Sequence, residues 1–378
     1  MINIAILGLG TVGYGVYDII KNSSYLKKVK VKKILDRDLS RNEEVGNIIT
    51  NDFEEILNDD EIKVVVETMG ALNFSYECIK RAIMKKKHVI TANKEVIAGH
   101  LEELTKLKKE YKVSLYYEAS VGGGIPIIKP LHLISHTNDI KSITGILNGT
   151  TNYILTKMDL EGLSFKDALR DAQEKGFAEA DPTNDLEGLD MVRKIAILSS
   201  IAYHGEVNIK NVYHYGISNV TSFDIDYAKS KGYILKYLAT SQIEKKKAEI
   251  RVEPHFVLAD DLISKANYEF NIVEVDANIN GILSFYGKGA GRYPTANAIV
   301  NDLIMIMNKD KNYSVDFKNK IQVTKSKTKN KYYIRVKNIK KIDQKIIEKM
   351  ERNVIITKMI NFEDINLDGV SFYAKIGK

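Results

Sequence analysis

The sequence predicts an α/β protein: a doubly wound parallel sheet first, then a second part of α+β type. Three observations predict this. Apolar strand-like runs alternate with helical spacing over roughly the first third of the chain. A glycine turn, Gly8-Leu9-Gly10-Thr11-Val12-Gly13, joins the first run to the first helix. Beyond Gly122-Gly123-Gly124 the order changes, with helices first and strands grouped after them. The chain has 378 residues, 44% apolar and 28% charged, which is a globular composition with room for two or three domains.

Each element follows from its pattern. Ile2-Asn3-Ile4-Ala5-Ile6-Leu7 reads as a short buried strand, and helical spacing continues through Val16, Ile19 and Ile20. Val29 to Leu35 is a second strand. Ile62 to Glu67 is a third, whose Val64-Val65-Val66 suits a strand covered on both faces. Ser75 to Lys87 reads as a helix, His88 to Thr91 as the fourth strand, Leu101 to Tyr111 as a helix and Ser114 to Glu118 as the fifth strand. After Pro126 come a helix, a strand from Ser142 to Leu147, and helices to about Tyr203. Strands follow at 232–243, 248–258, 271–279 and 282–286. A second glycine loop, Gly287 to Gly291, precedes a helix from Thr295 to Met307. Lys318 to Lys331, rich in Lys, Thr and Asn, reads as a linker. The remainder reads as strand (Tyr332–Val336), helix (Ile342–Arg352), strand (Val354–Met359) and strand (Val370–Lys375).

Composition narrows the function. The one cysteine, Cys78, excludes an internal disulfide framework and a cysteine-cluster metal site, and fits a reducing compartment. No long uncharged apolar run suggests a membrane span, and the start at Met1-Ile2-Asn3 shows no secretory pattern, so the expected location is the cytoplasm. The net charge of +7 is modest and its lysines are scattered; no basic stripe or reading module points to nucleic acid. The seven histidines show no metal-binding spacing.

The motifs carry the chemistry. G-x-G-x-x-G between strand and helix permits a tight turn, close approach of a pyrophosphate and close helix packing, so Gly8, Gly10, Thr11, Val12 and Gly13 are expected to hold a dinucleotide at the helix N-terminus. Asp36 and Arg37 end the second strand. The carboxylate favours a free ribose hydroxyl, hence NAD; the arginine favours the phosphate of NADP; the cofactor stays open between them. Thr91-Ala92-Asn93-Lys94 follows the fourth strand at the ligand-binding edge, where Lys94 either donates to an oxygen of substrate or ribose or is a solvated helix start. Glu118 to Pro126, with three glycines in a row, is a hinge, an oxygen-ligand cation site, or both. Asn148-Gly149-Thr150 is a helix cap or a polar binding loop. Asp190 and Lys194 share one helix face: either an exposed ion pair worth a few tenths of a kcal/mol, or a buried pair kept for a task.

Taken together, these motifs resemble homoserine dehydrogenase over residues 1 to about 310: the opening glycine turn, Thr91 to Lys94, Glu118 to Pro126, Leu147 to Leu155, Glu179-Ala180-Asp181-Pro182, Asp185 to Lys194, and Gly287 to Thr295, in family order. The resemblance implies NAD(P)-linked interconversion of L-homoserine and L-aspartate 4-semialdehyde, on the way to threonine, isoleucine and methionine, by a homodimer or higher homo-oligomer. It assigns Lys194 as proton donor with Asp190 beside it, Glu179 to the substrate ammonium, and Lys94 to the cofactor, the substrate and acid–base work. Asn148, Gly149 and Thr150 fall in the substrate loop. A sodium-like cation falls to Glu118, Val121, Gly123 and Ile125, and Gly289 to a loop that returns to the cofactor. A related dehydrogenase with another substrate, and an inactive nucleotide-binding sensor, are the alternatives.

The expected layout is a Rossmann domain over 1–135, a substrate and dimerisation domain over 136–298, a returning helix over 299–317, a linker over 318–331, and a shortened ACT-like βαββ segment over 332–378. Relatives with a full, threonine-binding ACT domain have βαββαβ order, from which this segment departs.

Overall fold

The computed structural model describes residues 1–40, 43–310, 315–317, 320–324 and 328–378. In chain order it has β1 (Ile2–Leu7), α1 (Thr11–Asn22), β2 (Val29–Leu35), β3 (Ile49–Thr50), α2 (Phe53–Leu57), β4 (Ile62–Glu67), α3 (Leu72–Met84), β5 (His88–Thr91), α4 (Lys94–Tyr111), β6 (Leu115–Tyr116) and α5 (Ile128–Thr137). Next come β7 (Ile140–Ile146), α6 (Gly149–Glu161), α7 (Phe165–Glu174), α8 (Thr183–Leu186), α9 (Leu189–Ala202), β8 (Tyr213–His214), α10 (Ser222–Ser230), β9 (Tyr233–Glu244) and β10 (Lys247–Leu258). The chain ends with β11 (Phe270–Ala277), β12 (Gly281–Lys288), α11 (Arg292–Met307), β13 (Gln322–Thr324), β14 (Lys331–Val336), β15 (Ile347–Glu351), β16 (Val354–Thr357) and β17 (Val370–Ile376). It forms two compact units. The first holds Met1–His136, His204–Glu206 and Lys288–Lys318; the second holds Thr137–Tyr203, Val207–Gly287 and Asn319–Lys378.

The first unit is a six-stranded parallel sheet in the order β3-β2-β1-β4-β5-β6. Strand order reverses between β1 and β4, and such a switch point opens a ligand crevice at the carboxyl ends. Ile4, Ile6, Val64 and Val66 are fully buried with Val16 of α1 and with Ile299 and Leu303 of α11, which is why these strands read as unbroken apolar runs. Gly15 lets α1 and α11 approach closely: a Cβ there would lie 3.0 Å from that of Ala296.

The second unit is built on one mixed sheet, in the order β12-β11-β7-β9-β10-β17-β14-β16-β15, with β8 and β13 also paired to β10. Helices α6 and α9 pack on it. Helix α9 is apolar nearly all round, with Met191, Val192, Ile195, Ile197, Leu198 and Ile201 buried, as an interior helix must be.

The C-terminal segment corrects the ACT-like βαββ expectation. No α-helix spans 342–352. Two 3₁₀ turns lead into β15, which pairs antiparallel with β16 across a turn at Arg352 in the left-handed region. Asn338 and Asp343 accept from the N–H groups of Lys340 and Lys345, and such local side-chain caps compete with helix. Ile342 and Ile346, whose spacing suggests a helix, are buried in a cluster with Tyr332, Ile334, Ile355, Phe362 and Tyr373. The four tail strands continue the sheet of the second unit through parallel pairing of β17 with β10. The linker expectation over 318–331 also changes: Gln322–Thr324 is a strand on β10, and residues 318, 319 and 325–327 lie outside the described residues.

Candidate functional site

In the first unit the glycine turn has the geometry that a dinucleotide needs. Gly8 has φ +92°, and a Cβ on Gly13 would fall 1.9 Å from the Gly8 carbonyl oxygen, so neither position accepts a side chain. Around Gly10 nothing lies within 4 Å of an added Cβ; this is the open side, where backbone can meet phosphate. Thr11 opens α1, exposed, with Val12 half-buried behind it. Asp36 Oδ2 accepts from the N–H of Leu9 at 2.8 Å and so braces the turn from the end of β2, while Arg37 is exposed beside it. Thr68 Oγ1 donates to the carbonyls of Leu7 and Gly8.

A residue that the sequence reading passed over organises the next strand ends. Glu67, fully buried at the end of β4, accepts from the N–H of Met69 (2.7 Å), from Ser75 Oγ (2.9 Å) and from Thr91 Oγ1 (2.5 Å). Thr91 Oγ1 in turn accepts from the N–H of Asn93, so its hydroxyl ties β4 to β5 within the protein. Asn93 caps α4, and the half-buried Lys94 is its first residue. The signal was available as a lone acid ending an apolar strand.

The two glycine loops of this unit pack together. A Cβ on Gly123 would lie 2.5 Å from the Gly289 carbonyl oxygen, and the N–H of Gly124 donates to the carbonyl of Lys288. Buried Glu118 uses its carboxylate at the start of α5, where it accepts from the N–H groups of Ile127 (2.7 Å), Ile128 (2.7 Å) and Lys129 (2.9 Å). Burial nevertheless pushes its carboxyl above the usual range, against the pull of those donors. Asp302 of α11 accepts from the N–H of Glu118 (3.0 Å), and burial, then the Glu118 charge, holds its carboxyl well above the ordinary value. The carbonyls of Glu118 and Gly122 accept from Val121 and Ile125 within the loop. Among the described residues no cluster of three His, Cys, Asp or Glu side chains could hold a metal. The donor set suits a hard cation held through oxygen: three N–H groups leave the Glu118 carboxylate one of its roughly four lone-pair directions.

The second unit brings Asn148, Asp190 and Lys194 together and adds Asp185. Lys194 Nζ donates to Asp190 Oδ2 at 2.8 Å and to the Leu147 carbonyl at 2.7 Å. The pair is buried, with side-chain exposures of 11% and 6%, so the exposed-ion-pair reading does not hold. Asn148 caps α6 by accepting from the N–H of Thr151, and its Nδ2 bridges Asp185 (2.7 Å) and Asp190 (2.8 Å); the cap and the polar site are the same residue. Burial, then the nearby charge of Asp190, raises the Asp185 carboxyl above its usual range. Gly149 runs against the Glu269 backbone, where a Cβ would meet the carbonyl oxygen at 3.1 Å.

Glu179 is exposed on the loop after α7. Thr150 Oγ1 donates to the Phe177 carbonyl at 2.6 Å, which ties this loop to the start of α6, next to Asn148. Here a carboxylate, an amide and a buried ammonium stand on one connected framework, a set suited to a zwitterionic substrate with an oxygen that gains or loses a proton. No helix among the described residues is long and apolar enough to cross a membrane.

Comparison with known proteins agrees with this geometry. Residues 8–118 match the family model of the homoserine dehydrogenase NAD-binding domain, and residues 126–304 match that of homoserine dehydrogenase. A homoserine dehydrogenase of Synechocystis is 41% identical over 83% of this chain and 76% of its own length. The crystal structure of a Thiobacillus denitrificans homoserine dehydrogenase superposes with a TM-score of 0.91 at 30% identity, covering 100% of this chain and 98% of that one. A hyperthermophilic archaeal homoserine dehydrogenase in complex with NADPH superposes at 0.71 with 26% identity, over 82% of this chain and 99% of that one. The chain belongs to the homoserine dehydrogenase family of NAD(P)-dependent oxidoreductases.

Proposed function

We propose that this chain interconverts L-homoserine and L-aspartate 4-semialdehyde with NAD(P), serving threonine, methionine and isoleucine biosynthesis. The observation that carries the reading is the buried Lys194 ammonium, held by Asp190 and the Leu147 carbonyl beside the Asn148 loop. When bound, the nicotinamide supplies or accepts the hydride. The glycine turn with Thr11 and Val12 holds the dinucleotide at the N-terminus of α1, and Asp36 with Arg37 meets its ribose end.

Lys194 donates a proton to the aldehyde oxygen as the carbonyl is reduced and takes it back when homoserine is oxidised. Asp190 keeps a positive charge tolerable in that apolar helix. Glu179 binds the substrate ammonium through a charge-assisted hydrogen bond. Asn148, Gly149 and Thr150 shape the substrate loop. Lys94 and Thr91 stand at the β5 end, where Lys94 donates toward substrate and cofactor oxygens. The loop of Gly289 packs on the Gly123 loop and borders the cofactor. A monovalent cation is held by the carbonyls of Val121, Gly123 and Ile125 with Glu118 beside them.

The chain works as a homodimer or larger homo-oligomer. Ile282 and Tyr286 on edge strand β12, 62% and 56% exposed, suit a copy of the same chain. Buried Cys78 is at home in a reducing cytoplasm.

The test is NAD(P)H consumption with aspartate semialdehyde, sodium or potassium supplied, beside a panel of other aldehydes. Turnover confined to the semialdehyde is expected; no turnover with either cofactor in folded protein would contradict the reading.

A further inference from the structure

Glu179 presents a difficulty. An exposed carboxylate on a loop has many rotamers, and fixing it against a ligand costs binding energy unless its backbone is already placed. The structure places it. Gly176, with φ +74°, turns the chain after α7, and the N–H groups of Phe177 and Ala178 both donate back to the Ala172 carbonyl. The Phe177 ring lies against Tyr153 of α6, with centroids 4.6 Å apart. Two further bonds act on Glu179 itself. Gln173, in the last turn of α7, donates from Nε2 to the carbonyl of Glu179 at 3.1 Å and to that of Ala180 at 3.4 Å. One amide thus clamps the peptides on the C-terminal side of the carboxylate, and both of its bonds go to backbone, so the Glu179 side chain remains open to a ligand.

We propose that Gln173 is a positioning residue: it aims the Glu179 carboxylate at the substrate ammonium and thereby sets affinity for the amino-bearing substrate. The inference rests on the reading of Glu179 given above. Gln173 touches neither substrate nor reacting atoms. Its removal weakens ground-state and transition-state binding alike, which raises KM and leaves kcat in place.

The experiment uses the full chain with Gln173→Leu, Gln173→Glu, Glu179→Gln and the double variant Gln173→Leu/Glu179→Gln. Gln173→Glu keeps the size while replacing the donor by an anion that repels the same two carbonyls, and covers the case in which Gln173→Leu folds poorly. Expected is a rise of about fivefold in KM for aspartate semialdehyde in Gln173→Leu, the size of one neutral hydrogen bond, and a rise at least as large in Gln173→Glu. The kcat and the KM for NADPH stay within about twofold, a split that global loosening would not give. In the Glu179→Gln background, Gln173→Leu adds nothing. An unchanged KM in Glu179→Gln alone overturns the assignment of Glu179 itself. A raised KM there, with unchanged KM in both Gln173 variants, overturns this inference and leaves that assignment standing. An equal rise with and without the Glu179 carboxylate also overturns it.

Discussion

Asn148 donates one amide to two carboxylates, Asp190 at 2.8 Å and Asp185 at 2.7 Å, while its oxygen caps the helix that begins at Gly149. The sequence offers a cap or a polar binding loop here; the cap is present, and it aims the amide at the two carboxylates. Lys194 completes the cluster through Asp190. The polar centre therefore stands on the N-cap of α6, on α8 and on the first turns of α9, helices rather than a long loop.

Breaking the ion pair from the carboxylate side separates charge from shape. Asp190→Ala leaves a buried ammonium without its partner and should cost about 3–5 kcal/mol of stability. Asp190→Asn keeps an acceptor in place and should cost less. Chemical denaturation of the two variants checks the order; equal losses would mean that the acceptor is immaterial and that the lost charge carries the whole effect.

Gly10 and Gly13 make a matched pair. Gly13→Ala drives a methyl group into the Gly8 carbonyl and should lower thermal stability as well as dinucleotide affinity. Gly10→Ala meets open space, so the fold should survive while NAD(P)H binding weakens by about tenfold or more. Fluorescence titration beside a thermal melt separates the two effects.

Lys108 is buried on α4, and burial brings its ammonium down to about 7. The unfolded chain binds this proton up to the ordinary lysine value of 10.5, whereas the folded chain binds it only below about 7. Between these values the unfolded state holds more protons, so this group lets stability rise with pH across that window, and its penalty is complete below it. Lys108→Met should raise the melting temperature by a few degrees at pH 7 and below, with the gain fading as pH approaches the upper value.

The tail is built in. Arg251 and Glu253 form a buried bidentate pair, the guanidinium lies 4.3 Å from the Tyr213 ring centroid and 3.9 Å from that of Phe362, and Tyr373 donates to Glu253 at 2.8 Å. Ending the chain before β14 strips Phe362 and Tyr373 from this pair. The shortened protein should unfold cooperatively at markedly lower temperature or aggregate. An unchanged melt would show the tail to be a detachable module.

The sequence made the first unit legible because its signals are local. A buried parallel strand must be an apolar run, and a phosphate turn must place glycines at fixed offsets, so Ile2–Leu7 and Gly8–Gly13 announce themselves. The tail misled because two isoleucines four apart satisfy helix spacing, while the caps at Asn338 and Asp343 and the hairpin of β15 with β16 decide otherwise, and the cluster that buries those isoleucines draws in the distant Tyr332, Phe362 and Tyr373. Asp185 and Glu67 stayed hidden for the same reason. Their partners Asn148 and Thr91 lie far along the chain, and no periodicity encodes such a meeting.

The most direct test of the account is the turnover number of Lys194→Met with aspartate semialdehyde and NADPH, measured beside the NADPH dissociation constant of the same protein. Loss of a positioned proton donor should lower kcat by about 100-fold or more, with NADPH binding unchanged. A kcat within a few-fold of the parent chain would contradict it.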